Sequence, residues 1–391
     1  MNRVSIAGCR RARCLLALTA LLPLAAQLNP YTGSGTSGPG SPLRGDGWGG
    51  WKTGIDGVYY RGPYPKPEWF QKFDGLATAS VVARGLLPPI RPLFEAHVLD
   101  TSIARGGDGN FYMTGTTGDN PWLFNDGVEL WRSPDLRRWD YLGVVWYIDA
   151  EGTWQKGWRQ VQGKMARAVW APEIHYIRGN YVICFAMAPG GISILRSRTG
   201  KPEGPYISTL IADRPFTDAI DPTLFEDADG SVYFTYGGGS YIARMEDDLS
   251  TQAEPFRRIE LAEPDHNPNL HDRRCAARGE DDIGFDGAVL FRANGKYYLG
   301  AADYYEGRYS TCLAVSDHVY GPYHHRHEAV PGGGGAGFFE DAAGNWWSSY
   351  FGNDTQAPFR EKPAVLRVEF DAAGLMHVAK SQPAWLLVKP E

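Results

Sequence analysis

Long apolar runs are nearly absent from this 391-residue chain. The exception, CLLALTALLPLAA at residues 14–26, is too short to span a bilayer. No later stretch offers a membrane-spanning helix. A basic surplus is missing too: 39 Lys and Arg stand against 45 Asp and Glu, for a net charge of −6. Residues 1–26 hold Arg3, Arg10, Arg11 and Arg13 but no acid, so the remainder carries about −10. Such a chain is a poor partner for nucleic acid or anionic membranes. Cysteine is scarce, with five in all, and Cys9 and Cys14 fall in the N-terminal stretch. Cys184, Cys275 and Cys312 are too widely spaced for a disulfide framework or a zinc motif. Cys184, in YVICFAM, reads as a buried strand residue, and a Cys275–Cys312 disulfide stays open as the one pairing. No long amphipathic helical period occurs.

The N-terminus reads as a secretory signal over residues 1–26: arginines, then an apolar stretch, then the small residues Ala25 and Ala26. IAGC at residues 6–9 resembles a lipoprotein signal but precedes the apolar stretch, so no lipid anchor is expected. The mature chain is expected to be secreted or periplasmic, free of the membrane once the signal is removed. Residues 27–50 are rich in Gly, Ser and Pro and read as a linker. Residues 51–391 form the folded part, opening with an aromatic, Pro-rich lead-in to about residue 95.

What is abundant is glycine, 48 residues, with 13 Trp and 21 Tyr. These belong to a repeated unit. DTSIARGGDGNFYMTGT starts at Asp100, PEIHYIRGNYVICFAMA at Pro172, and DPTLFEDADGSVYFTYG at Asp221. DGAVLFRANGKYYLGAA starts at Asp286 and AGFFEDAAGNWWSSYFG at Ala336. Each is a short apolar strand, a turn ending in Gly, and an aromatic-rich strand. The turn glycines are Gly109, Gly179, Gly230, Gly295 and Gly344, as tight hairpins with positive φ require. A third strand follows each hairpin and a weaker fourth follows most. The reading is an all-β, five-bladed β-propeller of four-stranded antiparallel blades. A β-sandwich is the competing architecture, because strand patterns alone do not establish ring closure.

In a propeller the first strand of each blade lines the central channel. Aligned on their turns, the five units place Asp100, Glu173, Asp221, Asp286 and Ala336 at the heads of those strands, within a position or two. Each acid alone is an ordinary turn residue. Four together at one end are not, because grouped carboxylates repel and push at least one pKa up. Glycoside hydrolysis uses such a set: one carboxylate as base or nucleophile, one protonated acid for the leaving oxygen. A third acid can raise the pKa of the donor. His97, Trp170, Glu173 and Arg308 are candidate contacts for sugar hydroxyls or faces, each also readable as structural. EDADG at 226–230 lacks the downstream Glu of a calcium loop and reads as a turn. HHRH at 324–327 reads as a solvated edge strand.

The ordered motifs DTSI with FYMTGT, WAPEIHY, AIDPTLFEDADGSVYF, GFDGAVLFRANGKYYL and DAAGNWWSSYF together resemble glycoside hydrolase family 43 over most of residues 97–370. The resemblance implies a five-bladed propeller that hydrolyses arabinose- or xylose-containing oligosaccharides in one step with inversion. It implies Asp100 as general base, Asp221 as the acid that tunes the donor, and Asp286 as general acid. Asp286 is a departure, since the family has Glu before Gly there. PGGGGAGFF in the fifth unit also lacks the family's His over a central calcium, so no metal or other cofactor is expected. Two alternatives stay open. One is a propeller glycosidase like family 117, acting on anhydrogalactose-containing oligosaccharides with a histidine as acid; should Asp286 not be the acid, His97 or His266 is the first candidate. The other is a non-catalytic carbohydrate-binding propeller. The sequence leaves the oligomeric state open.

Overall fold

The computed structural model describes residues 51–53, 59–61, 80–118, 121–161, 164–264, 279–354 and 356–388. The signal, the linker, His266 and Cys275 lie outside the described residues, and with Cys275 the open pairing to Cys312. The five turn glycines all adopt positive φ, between 76° and 85°. A Cβ at Gly109, Gly230 or Gly295 would meet nothing within 4 Å. Backbone conformation, not space, calls for glycine at those turns.

Each turn joins the first two strands of a blade, and each blade runs in simple sequential order. The first strands are Leu99–Arg105, Val169–Ile177, Thr223–Glu226, Asp286–Ala293 and Phe338–Glu340. Every ladder within the blades is antiparallel. Fourth strands are the irregular part. Blade three ends on the two residues Arg257–Arg258, and blade five carries a short strand, Met376–Val378, that shows no clear sequence pattern.

Closure is shown by the channel. Ser102–Arg105, Glu173–Ile177, Thr223–Glu226, Val289–Phe291 and Gly337–Glu340 line one cavity of about 310 Å³. All five blades meet around it, which a two-sheet sandwich does not allow.

The core is divided into the seams between blades. Tyr112, Leu130 and Trp146 of blade one pack on Ile174, Ile183 and Phe185 of blade two. Ile194 and Cys184 of blade two pack on Leu224 and Phe234 of blade three. Tyr233 and Ile242 of blade three meet Leu290, Leu299 and Tyr323 of blade four. The largest seam spans blades four, five and one, with Phe111 against Phe339 at 5.8 Å between rings. Each fully buried Leu, Ile or Phe contributes roughly 1.5–3 kcal/mol.

The lead-in is part of this last seam. Val81, Leu87, Ile90 and Phe94 are buried in it. Its backbone bonds to the far end of the chain: Arg91 N–H to Leu386 O, Leu93 N–H to Pro363 O, and Val388 N–H to Pro89 O. The start and end of the described domain thus clamp blade five to blade one. Among the described residues, no helix is long and apolar enough to cross a membrane.

HHRH does form the outer strand of blade four, His324–Val330, but it is not wholly solvated. Arg326 turns inward to a buried pair with Asp303 at 2.5 Å. Near a shift in ladder register, the Arg326 side chain and its neighbour His327 are both buried, and the cation is kept only because a carboxylate matches it.

Candidate active site

The first strands share one device at their heads. Asp100, Ala171, Asp221, Gly287 and Gly335 all have positive φ, between 43° and 77°. In blades one, two and four the ladder register also shifts nearby, the mark of a bulge. Asp tolerates the left-handed region better than most residues, at a small cost in strain. In blades one and three the acid itself takes this conformation. In blade four glycine takes it, and the acid stands one position earlier. Space decides that choice: a Cβ on Gly287 would lie 2.8 Å from Gly335 Cα of the next blade. The Asp-Gly pair is therefore one unit, in which Gly287 permits the close approach and Asp286 enters the pocket from upstream.

These heads bring Asp100, Asp221 and Asp286 into one pocket. Glu173, Trp170, Trp122, Tyr309 and Asn353 complete much of its wall. Thr116 donates its hydroxyl to Asp100 at 2.7 Å and itself accepts from Ala171 N–H at 2.7 Å. Gly287 N–H donates to Asp221 at 2.9 Å. Tyr309 O–H donates to Asp286 at 2.7 Å. Each acid is thus held in place and keeps one oxygen for chemistry.

The proton affinities of all three are raised. Burial raises Asp100 to about 6, opposed by the Thr116 bond and helped by the Glu173 charge. Burial, then the charge of Asp100, raises Asp221 to about 7, against the Gly287 N–H. Burial, then the charge of Asp221, holds Asp286 well above the ordinary carboxylate range despite Tyr309. Phe285 stands behind Asp286, its ring 5.8 Å from that of Tyr309. Ala288 is buried at the pocket wall. Both sit where desolvation acts on the acid.

The other sequence candidates scatter. Trp170 and Glu173 line the pocket. His97 lies 3.8 Å from the buried Glu361, whose own pKa burial raises to about 7. Arg308 is 1% exposed and clamped by Glu328 at 2.8 Å and Glu306 at 3.1 Å. Neither His97 nor Arg308 is among the pocket-lining residues.

Tyr309, Trp122 and Thr116 carry no signal in sequence that marks them. Tyr309 follows Arg308 and is the residue of that pair that points inward. Trp122 sits on a loop that Asn125 ties to blade two, through bonds of 2.8 Å to both Val169 N–H and Val169 O. Its ring meets Trp170 edge-on at 6.1 Å.

Residues 90–376 match the profile of glycosyl hydrolases family 43. The chain belongs to that family. Among curated family 43-like relatives, an extracellular exo-alpha-(1->5)-L-arabinofuranosidase, ArbA, of Cellvibrio japonicus is 24% identical over 229 residues. That alignment covers 53% of this chain and 63% of the relative. A beta-xylosidase of Xylanibacter ruminicola is 26% identical over 221 residues, covering 46% and 64%. The chain thus spans under two thirds of the length of both. The solved structure of the GH43_1 enzyme from Xanthomonas citri, complexed with xylotriose, superposes with a TM-score of 0.56 at 20% identity. It covers 78% of this chain and 96% of that one, a likeness of fold.

Proposed function

We propose that this family 43 protein is an exported glycosidase that removes terminal arabinose or xylose units from oligosaccharides, with inversion. The observation that carries the reading is that three buried carboxylates, Asp100, Asp221 and Asp286, converge on one pocket and that each has its pKa raised. In this reading Asp100 serves as the ionised base and Asp286 as the protonated donor.

In this mechanism Asp100 takes a proton from a water that attacks the anomeric carbon. Asp286 gives its proton to the glycosidic oxygen as that bond breaks. Asp221, fixed by Gly287 N–H, keeps the donor protonated through its charge. Trp122 and Trp170 offer aromatic faces to a sugar ring. The arabinofuranosidase and xylosidase names among the relatives support the sugar class. The signal-like residues 1–26 support export.

The test is hydrolysis of arabino- and xylo-oligosaccharides followed by proton NMR of the first-formed anomer. Inverted product released from chain ends is expected. Retained configuration sinks the single-step mechanism. Binding without turnover favours a carbohydrate-binding propeller instead.

A further inference from the structure

A second cluster of ligand-type side chains lies on the inner hairpin of blade two. Glu173 and His175 are two residues apart on one strand, so they share a face. Cys184 stands directly opposite Glu173 in the ladder, with Val182 opposite His175. Directly opposed residues in an antiparallel pair bring their side chains together. One ligand atom from each of the three lies within 4.8 Å of the others. His175 Nε2 is 3.0 Å from Glu173 Oε2 and 3.7 Å from Cys184 Sγ.

Tetrahedral zinc, with Zn–S of ~2.3 Å and Zn–N or Zn–O of ~2.0–2.2 Å, holds its ligand atoms about 3.3–3.6 Å apart. The two separations bracket that range. A thiolate, an imidazole and a carboxylate suit zinc, whereas calcium and magnesium take oxygen ligands. Glu173 and His175 line the central channel, and each side chain is 18% exposed, which leaves a path for the ion. Cys184 closes the cluster from the buried side, its thiol donating to Pro222 O at 3.3 Å.

We propose that Glu173, His175 and Cys184 form a zinc-binding site on the channel wall, adjoining the acid pocket. On binding, the Cys184 S–H bond breaks, the thiolate and neutral His175 Nε2 coordinate the ion, and the proton passes to solvent. A channel water or the Pro222 carbonyl completes four ligands. The site is a structural and electrostatic neighbour of the three acids, since Glu173 lines both spaces. Sequence spacing hid it, because the ligands come from two strands and not from one local motif.

The test titrates Zn²⁺ into the full, metal-free chain by calorimetry and uses Co²⁺ as an optical probe. One ion per chain with micromolar or tighter affinity is expected, with a thiolate-to-cobalt charge-transfer band. His175→Gln and Cys184→Ser should each weaken binding at least tenfold, and Cys184→Ser should remove the band. If Cys184→Ser fails to fold, His175→Gln decides, because His175 is the more accessible ligand. Unchanged affinity in His175→Gln, a cobalt spectrum without the thiolate band, or no binding at micromolar zinc overturns the proposal.

Discussion

Aspartates at the two ends of the inner hairpins behave in opposite ways. At the strand heads Asp100, Asp221 and Asp286 hold their protons more tightly than an ordinary carboxyl. At the hairpin turns Asp108, Asp229 and Asp341 hold theirs less tightly. Partial burial pulls Asp108 and Asp341 upward, but hydrogen bonds from Asn110 and Tyr112, or from Asn345 and Trp347, outweigh it. Asp229 is lowered chiefly by Ser231 N–H. Asp341 alone accepts from Ala343 N–H, from Asn345 through backbone and side chain, and from Trp347. Each head acid is shown with one donor and faces other carboxylates across the pocket. The same residue type is a turn-former where donors surround it, and holds its proton more tightly where burial and like charge do.

Removing a head acid should have the largest effect. Asp100→Asn is expected to lower kcat about 10²–10⁴-fold while the fold survives, because a missing base cannot activate water. Steady-state hydrolysis beside a thermal melt measures both. A loss below tenfold would place the base elsewhere.

Next comes stability. Acids with raised pKa bind protons more tightly folded than unfolded. Their contribution is complete below about pH 4 and is lost as pH climbs through 6 to 7. Asp221→Asn removes one such group. It should therefore stabilise the protein at pH 8, by roughly 2–4 kcal/mol at about 1.4 per pKa unit, and leave it unchanged at pH 4. Denaturant unfolding at both values checks this. Equal effects at the two pH values would show that Asp221 carries no such ionisation penalty.

A smaller effect is expected at Tyr309. Its O–H lowers the Asp286 pKa, so Tyr309→Phe should leave Asp286 protonated to higher pH. The descending limb of the pH–rate profile should move up, with kcat at the optimum within about tenfold. A limb that stays still, or moves down, would separate Tyr309 from the proton donor.

The smallest change in activity belongs to the turns. Asp341→Ala should cost about 1–2 kcal/mol by stranding its donors and leave kcat untouched. A carboxyl with depressed pKa stabilises above its unfolded value and loses that as pH falls. The gap between wild type and variant should therefore narrow toward pH 3. An activity loss would mean that the two ends of the hairpin are coupled.

Much of the architecture was legible because its signals are local. A glycine at each turn, an apolar strand before it and aromatics after it are set by backbone conformation and by burial on a pleated surface. The three residues of Met376–Val378 were not legible, because so short a strand has no period to read. Nor was the lead-in, whose burial depends on blade five and the chain's far end.

At the site, the acids stood out because the repeat aligned them. Their neighbours did not. Arg308 and Tyr309 are adjacent and both buried, so alternation alone could not say which faces the pocket. Arg308 turns to Glu306 and Glu328, and Tyr309 to Asp286. His97 likewise meets Glu361, which is 264 residues downstream.

Order along the chain determined five hairpins and put an acid near the head of four first strands. Ring closure decided the rest: that Asp100, Asp221 and Asp286 share one pocket, and that burial and the charge of neighbouring carboxylates raise all three pKa values. It also decided that Gly287 must lack a side chain where blades four and five touch. Turn conformation is a property of a few bonded residues. Charge coupling and desolvation depend on what lies across space, and only the closed ring brings those groups within reach.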